Sequence, residues 1–599
     1  MPHTNTHQYA LFESPSSTVR PLLEIKREIT GFVFRAVGDI PTTLIEQLII
    51  VALQRYWECL QNLHGTKLPF SAPNSNYTSA PEKDAANLFS ELGAALATLP
   101  VEFATYEIGQ LYTSLLPVSL RSEHGIFYTP PALAARMIEN AAKAGVDWKK
   151  AQIIDPACGG GAFLVPATQQ IIKALGDANP AMIARNLRTR LEGWEIGQFA
   201  ASLSRFFIEV AAISITAKTG KLIEPNIQIM DSLKCPEKDF SRFDLVIGNP
   251  PFGRMRLDAD MRERYSRSLY GHANLYGMFT ELAVRLAKNG GIITYLTPAS
   301  FLAGGYFKNL RSLLWEESPP LSIDFVESRK GVFDGVLQET VLATYRKSAK
   351  KNVARISVIN HDMNGLIIAS AGTLELPSEP TFPWILARNS KDESIVSQLQ
   401  KLPDRLKDWG YTVSTGPLVW NRYKDQLRDE KTSHCMPIIW SESVSSDGQF
   451  TFRSEKKNHQ PYFKITGKQD DWLKVKRECV LLQRTTAKEQ KRRLIAAVLP
   501  SEFIKKYAHI TVENHLNMIY PIIAKPVISV EVLSAFLNSE AADRAFRCLS
   551  GSVAVSAYEL ESLPLPNKKQ LSKLTKLVTS NASKEAIEIE CRVLYEGVK

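Results

Sequence analysis

From Gly125 to about Tyr345 the chain alternates short apolar runs with amphipathic stretches of helical length, and this alternation restricts the fold more than any other feature. "AQIIDPA" reads as a strand, Phe163 to Leu175 as a helix, "LEGWEI" as a strand and "FAASLSRFFIEVAAISI" as one helix. "NIQIM" and "FDLVIG" are further strands. In "FTELAVRLAKNGG" residues Phe279, Leu282, Ala283 and Leu286 share a helix face, Gly290 is the expected stop, and the strand "IITYL" follows. Such alternation predicts an α/β, Rossmann-like domain: a mainly parallel sheet covered on both faces, with ligands beyond the carboxyl ends of its strands.

The flanking regions read differently. Residues 1–120 form a helical N-terminal region, with a polar start, two apolar helical segments ("TTLIEQLIIVALQRYWECLQNL", "EFATYEIGQLYTSLLP") and the loop "SAPNSNYTSAPEKD" between them. Residues 121–350 hold the α/β domain. The Pro-rich "GTLELPSEPTFP" (372–383) is a linker, and residues 384–599 form an α+β domain with a charged helical tail. The net charge is +10, and residues 421–500 alone carry 17 Lys plus Arg against 10 Asp plus Glu, so a polyanionic partner is expected for that stretch. The seven cysteines are scattered and never spaced C-x-x-C, which argues against a disulfide framework or a metal site and for a reducing cytoplasm. No leader opens the chain and no apolar run is long enough to span a bilayer, so a cytoplasmic protein without a membrane partner is expected.

Chemistry gathers at the predicted strand ends. "IIDPACGGGAFLVPA" puts an acid and three glycines between a strand and a helix, where backbone can approach a ligand closely, but Leu164 stands where the dinucleotide fingerprint needs Gly or Ala. Asp155, Glu195 and Asp231 end three successive strands, a row that matches a ligand with an amino-acid end, a ribose diol and an adenine amine. "FDLVIGNPPF" ends a strand on Asn249, Pro250, Pro251 and Phe252. The proline pair stiffens the turn, the Asn249 amide and the Pro250 carbonyl supply two fixed acceptors for an exocyclic amine, and Phe252 offers a stacking face. A rigid turn closing a buried strand explains a lone N-P-P-F equally well.

Taken together and in order, these motifs resemble the gamma group of S-adenosylmethionine-dependent DNA amino-methyltransferases. "HGIFYTPPALAARM" is similar to its N-terminal cofactor segment, "DPACGGGAF" to its glycine loop and "NPPF" to its catalytic motif. The resemblance implies a methyltransferase domain followed by a target-recognition domain, acting on adenine N6 in double-stranded DNA as a modification methylase of TaqI/PstI type. It further implies cofactor contacts at Phe127, Thr129, Pro130, Asp155, Ala157, Gly159 and Asn249, with Glu195 on the ribose and Asp231 on the adenine amine. Asn249, Pro250 and Phe252 would be catalytic. Phe333, in "GVFDGVLQETVLATY", would add a second aromatic face, or else be a core residue before a strand. Neither Cys158 nor Cys235 lies in the Pro-Cys order that cytosine C5 methylation needs.

Arg254 opens an Arg- and Tyr-rich loop after the catalytic turn, readable as a phosphate clamp or as a solvated charged helix. In the C-terminal domain "VSTGPLVWNRYKDQ", "ECVLLQRTTAKEQKRRLIAAVL", "ENHLNMI" and "FRCLSGSVAVSAYELESLPLP" are similar to the specificity region of PstI-type methylases. Arg484, Lys488, Lys491, Arg492 and Arg493 would grip phosphates, while Asn514 and His515 would read base edges or form a structural turn. A cognate restriction endonuclease or a specificity subunit is the implied partner. Competing readings are a protein-glutamine or RNA-guanine amino-methyltransferase, whose targets also present a planar amide or amine, and a non-catalytic DNA-binding subunit of a defence complex.

Overall fold

The computed structural model describes residues 21–35, 41–73, 81–116, 129–326, 339–362, 365–453, 459–485, 492–549 and 554–597. The chain divides into two compact units. The first comprises residues 1–298, 313–354 and 359–369, and the second residues 299–312, 355–358 and 370–599.

The described part of the first unit opens with α1 (Leu22–Arg35), α2 (Thr42–His64), α3 (Lys83–Leu96) and α4 (Val101–Leu115). The chain continues through α5 (Pro131–Lys143), β1 (Ile153–Asp155), α6 (Leu164–Leu175), α7 (Pro180–Arg190), β2 (Leu191–Glu195), α8 (Gln198–Ala211), α9 (Ile213–Thr219), β3 (Asn226–Ile229) and β4 (Phe243–Gly248). A two-stranded ribbon follows, β5 (Arg254–Met255) and β6 (Ala273–Asn274), with helix α10 (Ala259–Arg264) between its strands. Then come α11 (Leu275–Leu286), β7 (Ala287–Pro298), β8 (Pro320–Val326) and β9 (Thr340–Arg346).

β1, β2 and β3 are successive parallel neighbours, and the chain then returns to lay β4 on the other side of β1, parallel to it. β7 joins β4 in parallel, while β9 runs antiparallel between β7 and β8. Two further strands, β10 (Ala354–Asp362) and β11 (Gly365–Leu374), extend the sheet past β8. The winding direction therefore reverses between β1 and β4. In an open α/β sheet this is where a crevice forms beyond the strand ends.

Two apolar cores flank α8. Ala201 and Ile208 pack into the core that holds β1, β4, α5 and α6. Phe199, Leu203, Phe206, Phe207 and Val210 pack instead against α2, α3 and α4. Phe206 meets Tyr56, Trp57 and Phe70 at ring-centroid distances of 6.2, 6.0 and 5.8 Å. Each such pair contributes about 0.5–1.5 kcal/mol beyond the area it buries. A helix buried on both faces must be apolar all round, which is why this segment reads as one long apolar helix. The expected single helix is in fact α8 and α9, bent by 72°. Among the described residues no single helix is long and apolar enough to cross a membrane.

Gly290 does not stop a helix. α11 ends at Leu286 and Ala287 already belongs to β7, with Gly290 at φ +80° inside the strand. Ala287 already pairs with Phe243 of β4, and Gly290 and Gly291 exchange backbone hydrogen bonds with Lys347, so strand contacts override the local helical pattern of "AKNGG" there.

The second unit contains β12 (Tyr411–Thr415), β13 (Leu427–Arg428), β14 (Cys435–Ile439), β15 (Tyr462–Lys464), β16 (Cys479–Gln483), β17 (Ala496–Leu499), β18 (Thr511–Val512) and β19 (Leu516–Pro521). They form two four-stranded sheets, β12-β19-β16-β17 and β13-β15-β14-β18. The wholly buried Arg311 ties residues 299–312 into this unit, donating to the carbonyls of Phe301, Gly304, Thr381 and Phe382 at 2.8 to 3.0 Å.

Candidate active site

The crevice between β1 and β4 is built from the two motifs that the sequence singles out. Asp155, the last residue of β1, is fully buried; its Oδ1 accepts from the Ala157 N–H at 3.0 Å, and its Oδ2 has no hydrogen-bond partner. Burial pushes the carboxyl up to about 8; the Ala157 N–H offsets part of this, and the nearby Glu195 charge adds to it. Across the crevice stands Gly248, the last residue of β4. A side chain there would put its Cβ 2.7 Å from Asp155 Oδ1, so the residue before Asn249 is glycine, the one residue that needs no shift of the buried Asp155.

Asn249 follows directly. Its Nδ2 donates to the Thr129 hydroxyl at 3.1 Å, and its Oδ1 is buried without a partner. Thr129 is itself buried and lies just ahead of α5, so the segment around Thr129 and the N-P-P-F turn meet across 120 residues. Phe252 stands edge-on to the buried Tyr276, with centroids 6.2 Å apart and planes at 80°. Gly253, at φ +134°, turns the chain into the ribbon, and its carbonyl accepts from the Leu275 N–H at 3.0 Å.

The glycine loop is fastened to β2 through Glu195, whose Oε2 accepts from the Gly159 N–H at 2.9 Å and whose Oε1 accepts from the Gly197 N–H at 2.8 Å. Gly159 (φ +50°) faces open space where a side chain would be, whereas Gly161 (φ +94°) lies against Ser204. Asp231, two residues past β3, accepts from the Leu233 N–H at 3.1 Å and pairs with Lys234 at 3.5 Å. Asp155, Glu195 and Asp231 thus stand at or just beyond the ends of three neighbouring parallel strands.

Pro130 begins the turn into α5, and Ala157 is the donor that orients Asp155. Phe127 and Phe333 lie outside the described residues. Sequence reasoning missed two features: the α4 side chains Glu102 and Tyr106 line a pocket together with Thr129 and Ala162, and the buried Tyr295 hydroxyl, beside Gly248, has no hydrogen-bond partner. The signal for the first was present, since "EFATYEIGQ" carries polar residues on an otherwise apolar helix.

Arg254 is exposed at the start of the ribbon, as is Arg256 just after it. Other arginines of this loop are committed internally. Arg262 donates to the Gly271 carbonyl, Arg264 to the Cys235 carbonyl, and Arg267 pairs with Glu317.

In the second unit the register of the antiparallel sheet gathers the C-terminal motifs at one end. Thr415 and Leu482 both pair with Asn517, and Gln483 pairs with Leu516, so the segments after β12, before β19 and after β16 leave the sheet side by side. Arg484 N–H donates to the His515 carbonyl at 2.8 Å, and the Arg484 carbonyl accepts from Val555 N–H at 2.8 Å. Arg484, Asn514 and His515 are therefore neighbours. Arg492 instead donates to the carbonyls of Asn538 and Ser446, and the Arg493 backbone N–H donates to Asp543. Lys488 and Lys491 lie outside the described residues.

Known proteins resemble this chain at the level of family and fold. Residues 196–333 match the model of the Eco57I restriction-modification methylase family. The Type II methyltransferase M.BsuBI of Bacillus subtilis is 28% identical over 361 residues, covering 59% of this chain and 71% of the relative. The Type II methyltransferase M.PstI of Providencia stuartii is 29% identical over 348 residues, covering 56% and 68%. Among solved structures, the Type IIL restriction-modification enzyme MmeI in complex with DNA superposes with a TM-score of 0.56 over 96% of this chain and 93% of that one, at 12% identity, a likeness of fold. The chain is thus similar to Type II methyltransferases over more than half of its length, and its residues 196–333 match the Eco57I restriction-modification methylase family.

Proposed function

We propose that this chain transfers the methyl group of S-adenosylmethionine to the N6 amine of an adenine extruded from a specific double-stranded DNA site, as the modification enzyme of a restriction-modification system. One observation carries the reading: Asn249 is held through its Nδ2 while its Oδ1 is left buried and unpartnered at the switch point of the sheet. A buried acceptor without a partner costs about 1–3 kcal/mol, a cost a fold sustains where a ligand supplies the donor.

The strand ends fit the cofactor. Asp155 Oδ2 is an orphaned acid suited to an ammonium group, Gly159 leaves room where a Cβ would stand, and Glu195 stands at the end of the neighbouring strand, the place of a ribose-binding acid. When bound, S-adenosylmethionine supplies an electrophilic methyl group on a sulfonium. The protein's own part is orientation. Asn249 Oδ1 and the Pro250 carbonyl take the two hydrogens of the target amine, which draws its lone pair out of conjugation and aims it along the transfer line. Phe252, braced by Tyr276, stacks on the base. No covalent adduct with the enzyme is needed, and the methylated nitrogen sheds one proton to water.

DNA as the substrate is supported by the basic surplus of residues 421–500 and by the exposed Arg254. Chemistry on a base within a duplex further requires its extrusion. A cognate restriction endonuclease or specificity subunit is the corresponding partner. The test is to incubate the purified chain with S-adenosylmethionine and unmethylated plasmid, beside Asn249→Ala, and to analyse the nucleosides by mass spectrometry. N6-methyladenine from the wild type alone is expected. N4-methylcytosine, or no methylated base with cofactor binding intact, would overturn the assignment.

A further inference from the structure

The turn between β18 and β19 holds an exposed imidazole on a buried acid. His515 Nδ1 lies 2.7 Å from Glu513 Oε1, and the backbone N–H of His515 donates to Glu513 Oε2 at 2.8 Å. The side chain of His515 is 54% exposed and that of Glu513 1%. Both oxygens of a fully buried carboxylate thus serve one exposed residue. Burying an acid is costly unless it is paired, and here the pairing fixes the aim of a side chain that water alone would leave loose.

The turn itself is clamped. Glu513 N–H donates to the Ile439 carbonyl at 3.0 Å, Asn514 N–H to Leu418 at 3.0 Å and Leu516 N–H to Glu513 at 3.1 Å, while the His515 carbonyl accepts from Arg484. Gly416 packs so closely that a Cβ would come within 2.2 Å of the Glu513 carbonyl oxygen. Trp420 and Arg422, just after the Leu418 that accepts from Asn514, and Thr485, next to the Arg484 that donates to His515, are exposed. The segments joined to this turn thus carry an aromatic, a cation and a hydroxyl at exposed positions, the mixture that meets nucleic acid.

We infer that His515, positioned by Glu513, is a specificity-determining residue that accepts a hydrogen bond through Nε2 from the exocyclic amine of an adenine or cytosine in the major groove. The inference rests on DNA being the substrate, as proposed above. A neutral imidazole that donates its Nδ1–H to Glu513 presents a lone pair at Nε2. In the major groove only adenine N6 and cytosine N4 offer donors, whereas guanine offers acceptors and thymine an acceptor with a methyl group. Gln at position 513 would reverse the arrangement. Its carbonyl would keep the backbone N–H, its amide N–H would face Nδ1, and Nε2 would become a donor suited to guanine or thymine.

The experiment uses the full chain, S-adenosylmethionine and a duplex library randomised around the wild-type site, with methylated molecules sequenced for wild type, His515→Ala and Glu513→Gln. Wild-type selectivity for adenine or cytosine at one position should fall by about fivefold to a hundredfold in His515→Ala, with the other positions unchanged. In Glu513→Gln the same position should shift toward guanine or thymine; if that variant does not fold, the alanine variant decides. The inference is overturned if the recognition sequence is unchanged in His515→Ala, if the affected position is guanine or thymine in the wild type, or if folded His515→Ala methylates no sequence at all. A wild type that methylates no DNA would instead overturn the underlying function.

Discussion

The strand ends of the two units handle polar atoms in opposite ways. At the methyltransferase crevice Asn249 Oδ1, Asp155 Oδ2 and the Tyr295 hydroxyl are buried and lack partners. At the end of the β12-β19-β16-β17 sheet the His515 ring is exposed, and the group that holds it is buried and fully engaged. On the function proposed above, the difference follows from what each place would meet. A reacting base entering a dry crevice can satisfy orphaned acceptors itself, and in low dielectric each such contact is strong. A groove reader stays wet, so its aim must come from within the protein.

The largest expected effect is at the crevice. Asn249→Ala should lower single-turnover methyl transfer by about a hundredfold to a thousandfold, the range for removing one preorganised polar group from a transition state. Because Oδ1 has no partner to lose, thermal stability should be unchanged or slightly higher, leaving only the 3.1 Å contact to Thr129 as a structural loss. A large fall in melting temperature with little loss of rate would break the comparison, since Asn249 would then be a structural residue. Next in size, Phe252→Ala should cost about 1–3 kcal/mol of base stacking, or about fivefold to a hundredfold in transfer, with Phe252→Tyr restoring most of it.

Much of this was legible because it is local. The alternation of strand and helix, the acids at Asp155, Glu195 and Asp231, and the turn at Asn249 to Phe252 all follow from residues close in sequence, and the β1/β4 switch point follows from their order. What sequence alone did not yield depends on distant packing. Nothing near Thr129 announces that its hydroxyl meets Asn249, and nothing near Gly248 announces that Asp155 forbids a side chain there. The break between α8 and α9 and the early start of β7 at Ala287 likewise reflect tertiary contacts that outweigh local periodicity. On the recognition side, "ENHLNMI" pointed to Asn514 and His515 but passed over Glu513, whose role depends on its burial.

Arg484 lies beside His515 at the exposed end of the sheet. Its backbone is fixed by His515 and Val555, and its guanidinium reaches the Asn514 carbonyl at 3.4 Å. As a phosphate contact it should act uniformly. Arg484→Ala is expected to weaken DNA binding roughly tenfold or less, to lower the slope of log affinity against log salt by about one, and to leave the sequence preference intact. A changed recognition sequence in Arg484→Ala, read from the same randomised library, would mean that this residue reads a base.

The smallest effect to read is a titration. Asp155 has its carboxyl raised from 3.8 to about 8, first by burial and then by Glu195, against the lowering effect of the Ala157 N–H. A raised acid binds its proton more tightly in the folded than in the unfolded chain. Its contribution to stability is therefore complete below 3.8 and is lost as pH rises toward 8, by about 1.4 kcal/mol per pH unit within that window. Without cofactor, the melting temperature of the wild type should fall between pH 6 and pH 8 relative to that of Asp155→Asn, which stays neutral throughout. The gap should change by a few degrees, because a unit of this size has a large unfolding entropy over which each kcal/mol is spread. Parallel curves for the two proteins would mean that Asp155 is ionised and solvated in the free protein, and the crevice would then be as wet as the recognition end.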